Sequence, residues 1–278
     1  MGLYHETFIV FLAVQALRTP IWGLSANTEF YEEIFKEIVK EQPVESLLIL
    51  QQNFTTDMRL EIFNEAPIPK VIVSKAQEDF VYGEKFNTEL LTTFVMSEKF
   101  DKELMKIGAN ILDYQRQKRI FIVAINVAEE IIFKNVLLEE LERQKMKRVL
   151  LHFLAENCEA TSGLYILKPY PQYRWLNKHP QEKYYPAHWQ NMQNKTLITL
   201  NGQDPPTGLA YLDEQGNLQM NGYMARLIML FAKRFNATLK MHYSFEFGKI
   251  LPYRILNELN FKGDLDIPMS LSYHVDNN

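Results

Sequence analysis

Cysteine is nearly absent from this chain of 278 residues, because Cys158 is the only one. A single thiol excludes a disulfide framework within the chain, and no C-x-x-C pair is available to hold zinc. The six histidines share no metal-ligand spacing either. A secreted chain with one cysteine either buries it or pairs it with another chain. We expect burial, because Cys158 closes the apolar stretch 149–154.

Motifs that carry catalysis are also missing. The chain has no H-E-x-x-H, G-x-S-x-G or S-x-x-K pattern and no glycine-rich phosphate loop, since Gly83 and Gly108 are isolated. Asp264 and Asp266 share one face of an extended segment, but two aspartates flanking the start of a strand more often form turns and caps. We therefore do not expect the chain to be an enzyme or to bind a cofactor. The alternative is a catalytic triad assembled from distant parts of the chain.

Two further absences concern partners and location. Basic residues are not in excess, since the formal net charge is -4, and this disfavours a nucleic-acid partner. No apolar run reaches the roughly 20 residues that cross a bilayer.

The short apolar run 8–17, followed by Pro20 and the small residues Ser25 and Ala26, predicts a secretory signal peptide over residues 1–26. The alternative is a buried helix at the start of a cytosolic domain.

Three Asn-x-Thr sequons agree with export. They predict glycosylation at Asn53, Asn194 and Asn236. Expressed as it stands, such a chain would be secreted. Tethered by a further segment, it would lie on the extracellular side of the cell membrane.

Residues 27–168 alternate between strand-like and helix-like segments, which predicts an α/β domain with a parallel sheet. The strands are short apolar runs without polar alternation, as in sheets covered on both faces. The predicted strands are 46–50, 71–73, 90–96, 120–125 and 149–154. The predicted helices are 28–40, 57–64, 100–117 and 128–145. His152 falls inside an apolar strand and is expected to be a core histidine with a hydrogen-bond partner.

Residues 169–193 differ in composition and are predicted to be an ordered linker. The stretch is rich in proline, tyrosine and tryptophan and has no helical period. Residues 194–278 then form a second α/β unit. Its predicted order is strand 196–200, loop 202–208, hairpin 209–220, helix 223–235, strand 238–243, helix 253–259 and strand 265–271.

The second unit resembles the first ligand-binding segment of ionotropic glutamate receptors and their insect ionotropic receptor relatives. The most telling stretch is Asn221-Gly222-Tyr223-Met224-Ala225-Arg226-Leu227-Ile228. The family has glycine and an aromatic residue there, then two residues, an acidic residue and aliphatic residues, whereas this chain has Arg226 at the acidic position. A second match runs from Asn257-Glu258-Leu259 through Gly263 to Asp266-Ile267-Pro268. Together the matches cover about 85 residues from Asn194 onward.

The resemblance implies that 194–278 is the first half of a ligand-binding domain like that of periplasmic binding proteins. In the family, the loop after the first strand, the start of the first helix and the aspartate-bearing strand converge at the mouth of the first lobe. This implies that Asp204, Tyr223, Ser270 and Ser272 bind the ligand. Residues 27–168 correspond to the amino-terminal domain of the family by position and α/β pattern.

One departure bears on the ligand. Glutamate-binding members carry an arginine a few residues past the last strand, which pairs with the ligand carboxylate. This chain has Val275 or Asn278 there, depending on the alignment. A carboxylate ligand would lack its partner, so we expect a neutral or weakly polar ligand. The match is closest to divergent chemosensory receptors of insects, which are expressed largely in taste and other sensory neurons.

The resemblance also implies partners. Family members are ligand-gated cation channels built from several subunits, so other ionotropic receptor subunits and a small chemosensory ligand are expected. The pore segments of the family lie beyond the stretch that is present here, so the chain is expected to be an amino-terminal fragment. Two alternatives are a secreted solute-binding protein of the periplasmic-binding type and, with less support, an exported α/β enzyme.

Overall fold

The computed structural model describes residues 26–51, 68–73, 81–154 and 163–269. Several sequence-based predictions lie outside these ranges. They are the signal peptide up to residue 25, the helix 57–64, the thiol of Cys158, the sequon at Asn53, and the candidate ligand-binding residues Ser270 and Ser272.

The first unit is built on a seven-stranded sheet in the order β2-β1-β3-β4-β5-β6-β7. Its strands are β1 Ser46–Gln51, β2 Lys70–Val73, β3 Leu90–Ser97, β4 Arg119–Ile125, β5 Val149–Leu154, β6 Leu164–Lys168 and β7 Arg174–Asn177. The five strands β1 to β5 pair in parallel, whereas β6 and β7 are antiparallel. The predicted α/β fold with a mostly parallel sheet is confirmed. The two antiparallel strands were not predicted, and β7 falls within the segment 169–193.

Helices cover both faces of this sheet. They are α1 Ala26–Glu41, α2 Tyr82–Lys85, α3 Lys102–Leu112 and α4 Glu130–Arg143. Alternate residues of each strand point to opposite faces, which gives two apolar cores. One core lies under α3 and α4, and the other lies under α1. The side chain of Asp101 caps α3 by accepting a hydrogen bond from the amide of Leu104 at 3.0 Å.

Two buried polar side chains join α1 to the sheet. Nδ1 of His152 hydrogen-bonds with the hydroxyl of Tyr31 at 2.8 Å, which confirms the predicted core histidine. The Arg119 side chain is 1% exposed. Its guanidinium donates to the carbonyls of Gln42 at 2.7 Å and Pro43 at 2.5 Å, just beyond the end of α1. A cation suits the carboxyl end of a helix, where unpaired carbonyls carry partial negative charge.

The second unit has a three-stranded parallel sheet in the order β11-β8-β12 and a separate hairpin. Its elements are β8 Lys195–Asn201, β9 Leu209–Leu212, β10 Leu218–Asn221, α5 Tyr223–Arg234, β11 Ala237–Met241, α6 Tyr253–Lys262 and β12 Ile267–Met269. The predicted element order of the second unit is confirmed as far as Met269. Asp213 fixes the hairpin turn, because its carboxylate accepts the amides of Gln215 at 3.0 Å and Asn217 at 2.7 Å.

The segment between the units packs against the first sheet. Tyr185 is buried and donates its hydroxyl hydrogen to the carbonyl of Ile120 at 3.1 Å. The amides of Tyr184 and Tyr185 donate to the carboxylate of Glu41 at the end of α1, at 2.6 and 3.2 Å. These contacts hold the segment 169–193 in a defined path against the first unit.

A lysine of the first unit reaches the turn before β12. The ammonium of Lys145 donates to the carbonyl of Gly263 and lies 3.6 Å from a carboxylate oxygen of Asp266. The other oxygen of Asp266 accepts the amide of Ile198 in β8 at 2.9 Å. Asp266 is thus part of a structural contact between the units. None of the helices in the described ranges combines the length and apolar content that a membrane crossing requires.

Candidate functional site

The loop after β8 is held in one conformation by its own polar side chains. Gln203 is 2% exposed, and its side-chain amide both donates to and accepts from the backbone of Ala210, each at 3.1 Å. The backbone amide of Gln203 donates to the side chain of Asn201 at 2.9 Å. The loop closes where the amide of Gly208 donates to the carbonyl of Asp204 at 3.0 Å. Asp204 is therefore presented from a fixed backbone at the carboxyl end of a parallel strand.

Gly222 joins this loop to helix α5. Its φ of 101° lies in the region that favours glycine. A Cβ atom here would lie 2.6 Å from the carbonyl oxygen of Thr207 and 2.8 Å from that of Pro206. These carbonyls accept the first amides of the helix, from Tyr223 at 3.2 Å and Met224 at 3.0 Å. The Gly-aromatic motif thus has a structural explanation, which is close approach of the helix start to the loop.

Four polar side chains meet beside this junction, and we call them the polar cluster: Asp204, Thr207, Tyr223 and Tyr253. The Tyr253 hydroxyl, from the first turn of α6, donates to a carboxylate oxygen of Asp204 at 3.0 Å. The Tyr223 hydroxyl lies 3.2 Å from that of Thr207. The two tyrosines are 48% and 42% exposed, so their rings are open to solvent and to a ligand. The hydrogen bond to Asp204 raises the pKa of Tyr253.

Two of the four predicted ligand-binding residues, Asp204 and Tyr223, lie in this cluster. They do not bond to each other directly: Tyr223 pairs with Thr207, and Asp204 accepts from Tyr253. Sequence reasoning missed both partners. Tyr253 is 49 residues from Asp204, and Thr207 is a small hydroxyl residue in a proline-rich loop, so neither has a local pattern that marks it. Ser270 and Ser272 lie outside the described residues.

The charge of the cluster is negative. Asp204 is its one carboxylate, and none of its four members is a cation. The nearby guanidinium of Arg226 donates instead to the side chain of Asn221 at 3.1 Å. Arg254 pairs with Glu258 at 3.6 Å on the exposed side of α6. Within the cluster itself, an anionic ligand would therefore meet a carboxylate and no cation.

The two described sequons occupy neighbouring turns, away from this cluster. Asn194 and Asn236 are both exposed, with φ of 61° and 53°. Each precedes a strand of the parallel pair β8 and β11, and the amide of Asn194 donates to the carbonyl of Asn236 at 2.8 Å. Both side chains are therefore in exposed turns, where a glycan can be carried.

Within the described ranges, no group of three or more histidine, cysteine, aspartate or glutamate side chains could hold a metal ion. Neither a scan against protein-family models nor a search of curated proteins finds a match to this chain. The features that bear on function are therefore the polar cluster and the resemblance in the second unit.

Proposed function

We propose that the chain is the extracellular, ligand-sensing portion of a chemosensory ionotropic receptor subunit, which is a ligand-gated cation channel at full length. The observation that carries the proposal is the polar cluster. It joins the loop after β8, the Gly-aromatic start of α5 and the first turn of α6 at the carboxyl end of a parallel strand. Ligands of open parallel α/β sheets bind at this end of the strands.

The order of elements supports the same proposal. Strand, proline-bearing loop, hairpin, glycine-started helix, parallel strand, helix and parallel strand follow one another from Lys195 to Met269. This is the order that the resemblance to the first ligand-binding segment implies. The mechanism in such a receptor would be closure of a two-lobed domain around its ligand.

The chemistry of the cluster defines the class of ligand. Asp204 can accept hydrogen bonds, and the rings of Tyr223 and Tyr253 offer half-exposed aromatic faces. The leading amides of α5 already bond to Pro206 and Thr207, so they are not available to a ligand carboxylate. We propose a neutral or weakly polar small molecule that carries a hydrogen-bond donor and an apolar or aromatic body.

The test uses the full-length receptor expressed with its co-receptor subunits. Ligand-evoked current is measured for wild type, for Tyr223→Ala and for Tyr253→Ala, with surface labelling to confirm folding and export. Both substitutions should shift the dose–response curve to higher ligand concentration by about fivefold to tenfold, the effect of losing one ring contact of roughly 1 to 1.5 kcal/mol.

Tyr243→Ala is the matched control, because this tyrosine is 91% exposed and lies outside the polar cluster. It should leave the dose–response curve unchanged. Unchanged curves for both cluster variants at normal surface level would refute the site. A strong response to glutamate itself would refute the class of ligand. The sequence downstream of Asn278 gives a cheaper test, since the proposal requires an apolar stretch of about 20 residues there.

A further inference from the structure

A groove of about 520 Å³ runs between helix α4 and strand β7 of the first unit. Helix α4 contributes Ile131, Lys134 and Leu138 to its wall, and β7 contributes all four of its residues. The indole of Trp175 fixes the two elements to each other, because its N–H donates to the carbonyl of Lys134 at 3.1 Å. We call this feature the β7 groove. It has no connection with the polar cluster of the second unit.

The floor of the groove is an open sheet edge. Strand β7 pairs only with β6 among the described strands. In an antiparallel pair, residues alternate between those that bond to the neighbour and those whose N–H and C=O point away. The amide of Lys178 donates to the carbonyl of Leu164 in β6 at 2.7 Å. Because bonded residues alternate along the strand, the backbone groups of Leu176 and Arg174 also face β6.

The backbone groups of Trp175 and Asn177 therefore point away from β6. In the part of the chain that the structure describes, these two N–H and two C=O groups have no hydrogen-bond partner. Unpaired groups along a strand edge are a template for another extended chain. A helix flanking such an edge provides contacts for the side chains of an added strand, as in known modes of peptide recognition.

The charges of the groove indicate what would bind. Lys134 lies in its α4 wall and Arg174 on β7, and no aspartate or glutamate lines it. Neither cation makes an ion pair with a described residue. Ile131 is 71% exposed and Leu176 is 36% exposed, so apolar surface flanks both cations. Adjacent side chains of an extended peptide point to opposite faces, so one acidic residue would reach Lys134 and the next would reach Arg174.

We propose that the β7 groove binds an extended acidic peptide segment of a partner protein, which adds to the sheet as a strand beside β7. The four free backbone groups supply the hydrogen bonds. Lys134 and Arg174 select for acidic residues, and Ile131 and Leu176 contact apolar residues on either side of them.

A second copy of this chain fits the edge less well. Antiparallel pairing of β7 with itself, through the outward groups of Trp175 and Asn177, centres on Leu176. Arg174 of one copy would then lie opposite Lys178 of the other. Like charges placed directly opposite each other destabilise a strand pair.

The experiment measures binding of a labelled peptide to the full chain by fluorescence anisotropy. The probe is Thr-Val-Glu-Glu-Val-Thr with both ends blocked, and the comparison peptide has glutamine in place of both glutamates. The proposal expects saturable binding of the probe below about 1 mM. It also expects binding of the glutamine peptide to be at least about fivefold weaker, and binding of the probe to weaken with salt, because the pairs lie at the surface.

Two variants separate the contribution of backbone hydrogen bonds to peptide binding from that of charge. Asn177→Pro removes one outward N–H but no bond to β6, and should weaken binding about fivefold, the equivalent of one hydrogen bond. Its control is Asn177→Ala, which keeps the N–H and should bind as wild type. Arg174→Glu should weaken binding by about fivefold or more, whereas Lys233→Glu, an exposed charge reversal on α5, should not. Circular dichroism confirms that each variant is folded.

Several results would overturn the proposal. Equal binding to wild type, Asn177→Pro and Arg174→Glu would show that the probe binds elsewhere. Complete displacement of the probe by millimolar phenylacetate would identify the groove as a site for small aromatic anions. A dimer in sedimentation velocity that Asn177→Pro dissociates would identify a second copy as the occupant. The absence of any saturable binding would also refute it.

Discussion

Replacing Gly222 by alanine should destabilise the second unit and open the junction between the loop after β8 and helix α5. Gly222 has φ 101° and ψ 157°, a conformation that is essentially restricted to glycine. The added methyl group would lie 2.6 and 2.8 Å from two backbone carbonyl oxygens. Backbone atoms cannot rotate out of the way as a side chain can, so the helix start has to move.

The magnitude follows from two contributions. The backbone conformation costs a non-glycine residue about 1 to 3 kcal/mol. Moving the helix start breaks the hydrogen bonds from Tyr223 to Pro206 and from Met224 to Thr207, each worth about 1 kcal/mol. We expect a loss of about 3 to 5 kcal/mol in the free energy of unfolding.

Gly216→Ala is the matched control for this change. Gly216 also has a positive φ, of 80°, but an added Cβ would meet nothing within 4 Å. It should cost only about 1 kcal/mol, the strain of a left-handed residue. Urea unfolding followed by circular dichroism gives the two free energies. Hydrogen exchange at the amides of Tyr223 and Met224 shows whether the damage is at the helix start. If Gly222→Ala costs no more than Gly216→Ala, the close approach is not what requires glycine.

Three further predictions concern the first unit and its contact with the second. Arg119→Met should lower the free energy of unfolding by about 3 kcal/mol, because carbonyls at the end of α1 lose a charged donor. Arg148→Met is the control. Equal losses for the two variants in thermal or urea unfolding would contradict the role given to Arg119. Burial raises the pKa of Tyr170 to about 12, from a usual value of 10.0. Its contribution to stability is thus complete below pH 10 and is lost as pH rises toward 12, because the unfolded chain releases its proton first. Tyr170→Phe should flatten the fall of the urea midpoint in that interval, and an unchanged slope would exclude this residue as a cause. Lys145→Met should speed hydrogen exchange around the turn before β12 and lower the free energy of unfolding by about 1 kcal/mol. The control Lys262→Met should change neither quantity.

The candidate site was predictable only in part from the sequence. Asp204 and Tyr223 were identified through the resemblance, by a turn-rich loop and a Gly-aromatic motif that are both local patterns. Their hydrogen-bond partners, Thr207 and Tyr253, were not. The contact between Asp204 and Tyr253 depends on how α6 packs beside the loop, and residue periodicity carries no information on such packing.

The sequence alone determined the α/β class and the five parallel strands of the first sheet. Strands covered on both faces need apolar residues at nearly every position, and runs such as 120–125 and 149–154 show this directly. It also determined the hairpin around Gly216, since aspartate and glycine form turns for local reasons. Only the tertiary structure decided that the chain returns as the antiparallel strands β6 and β7, because strand pairing over a distance depends on which edge is left open. The same structure decided that Asp266 pairs with Lys145, which is an encounter between two units that no local pattern encodes.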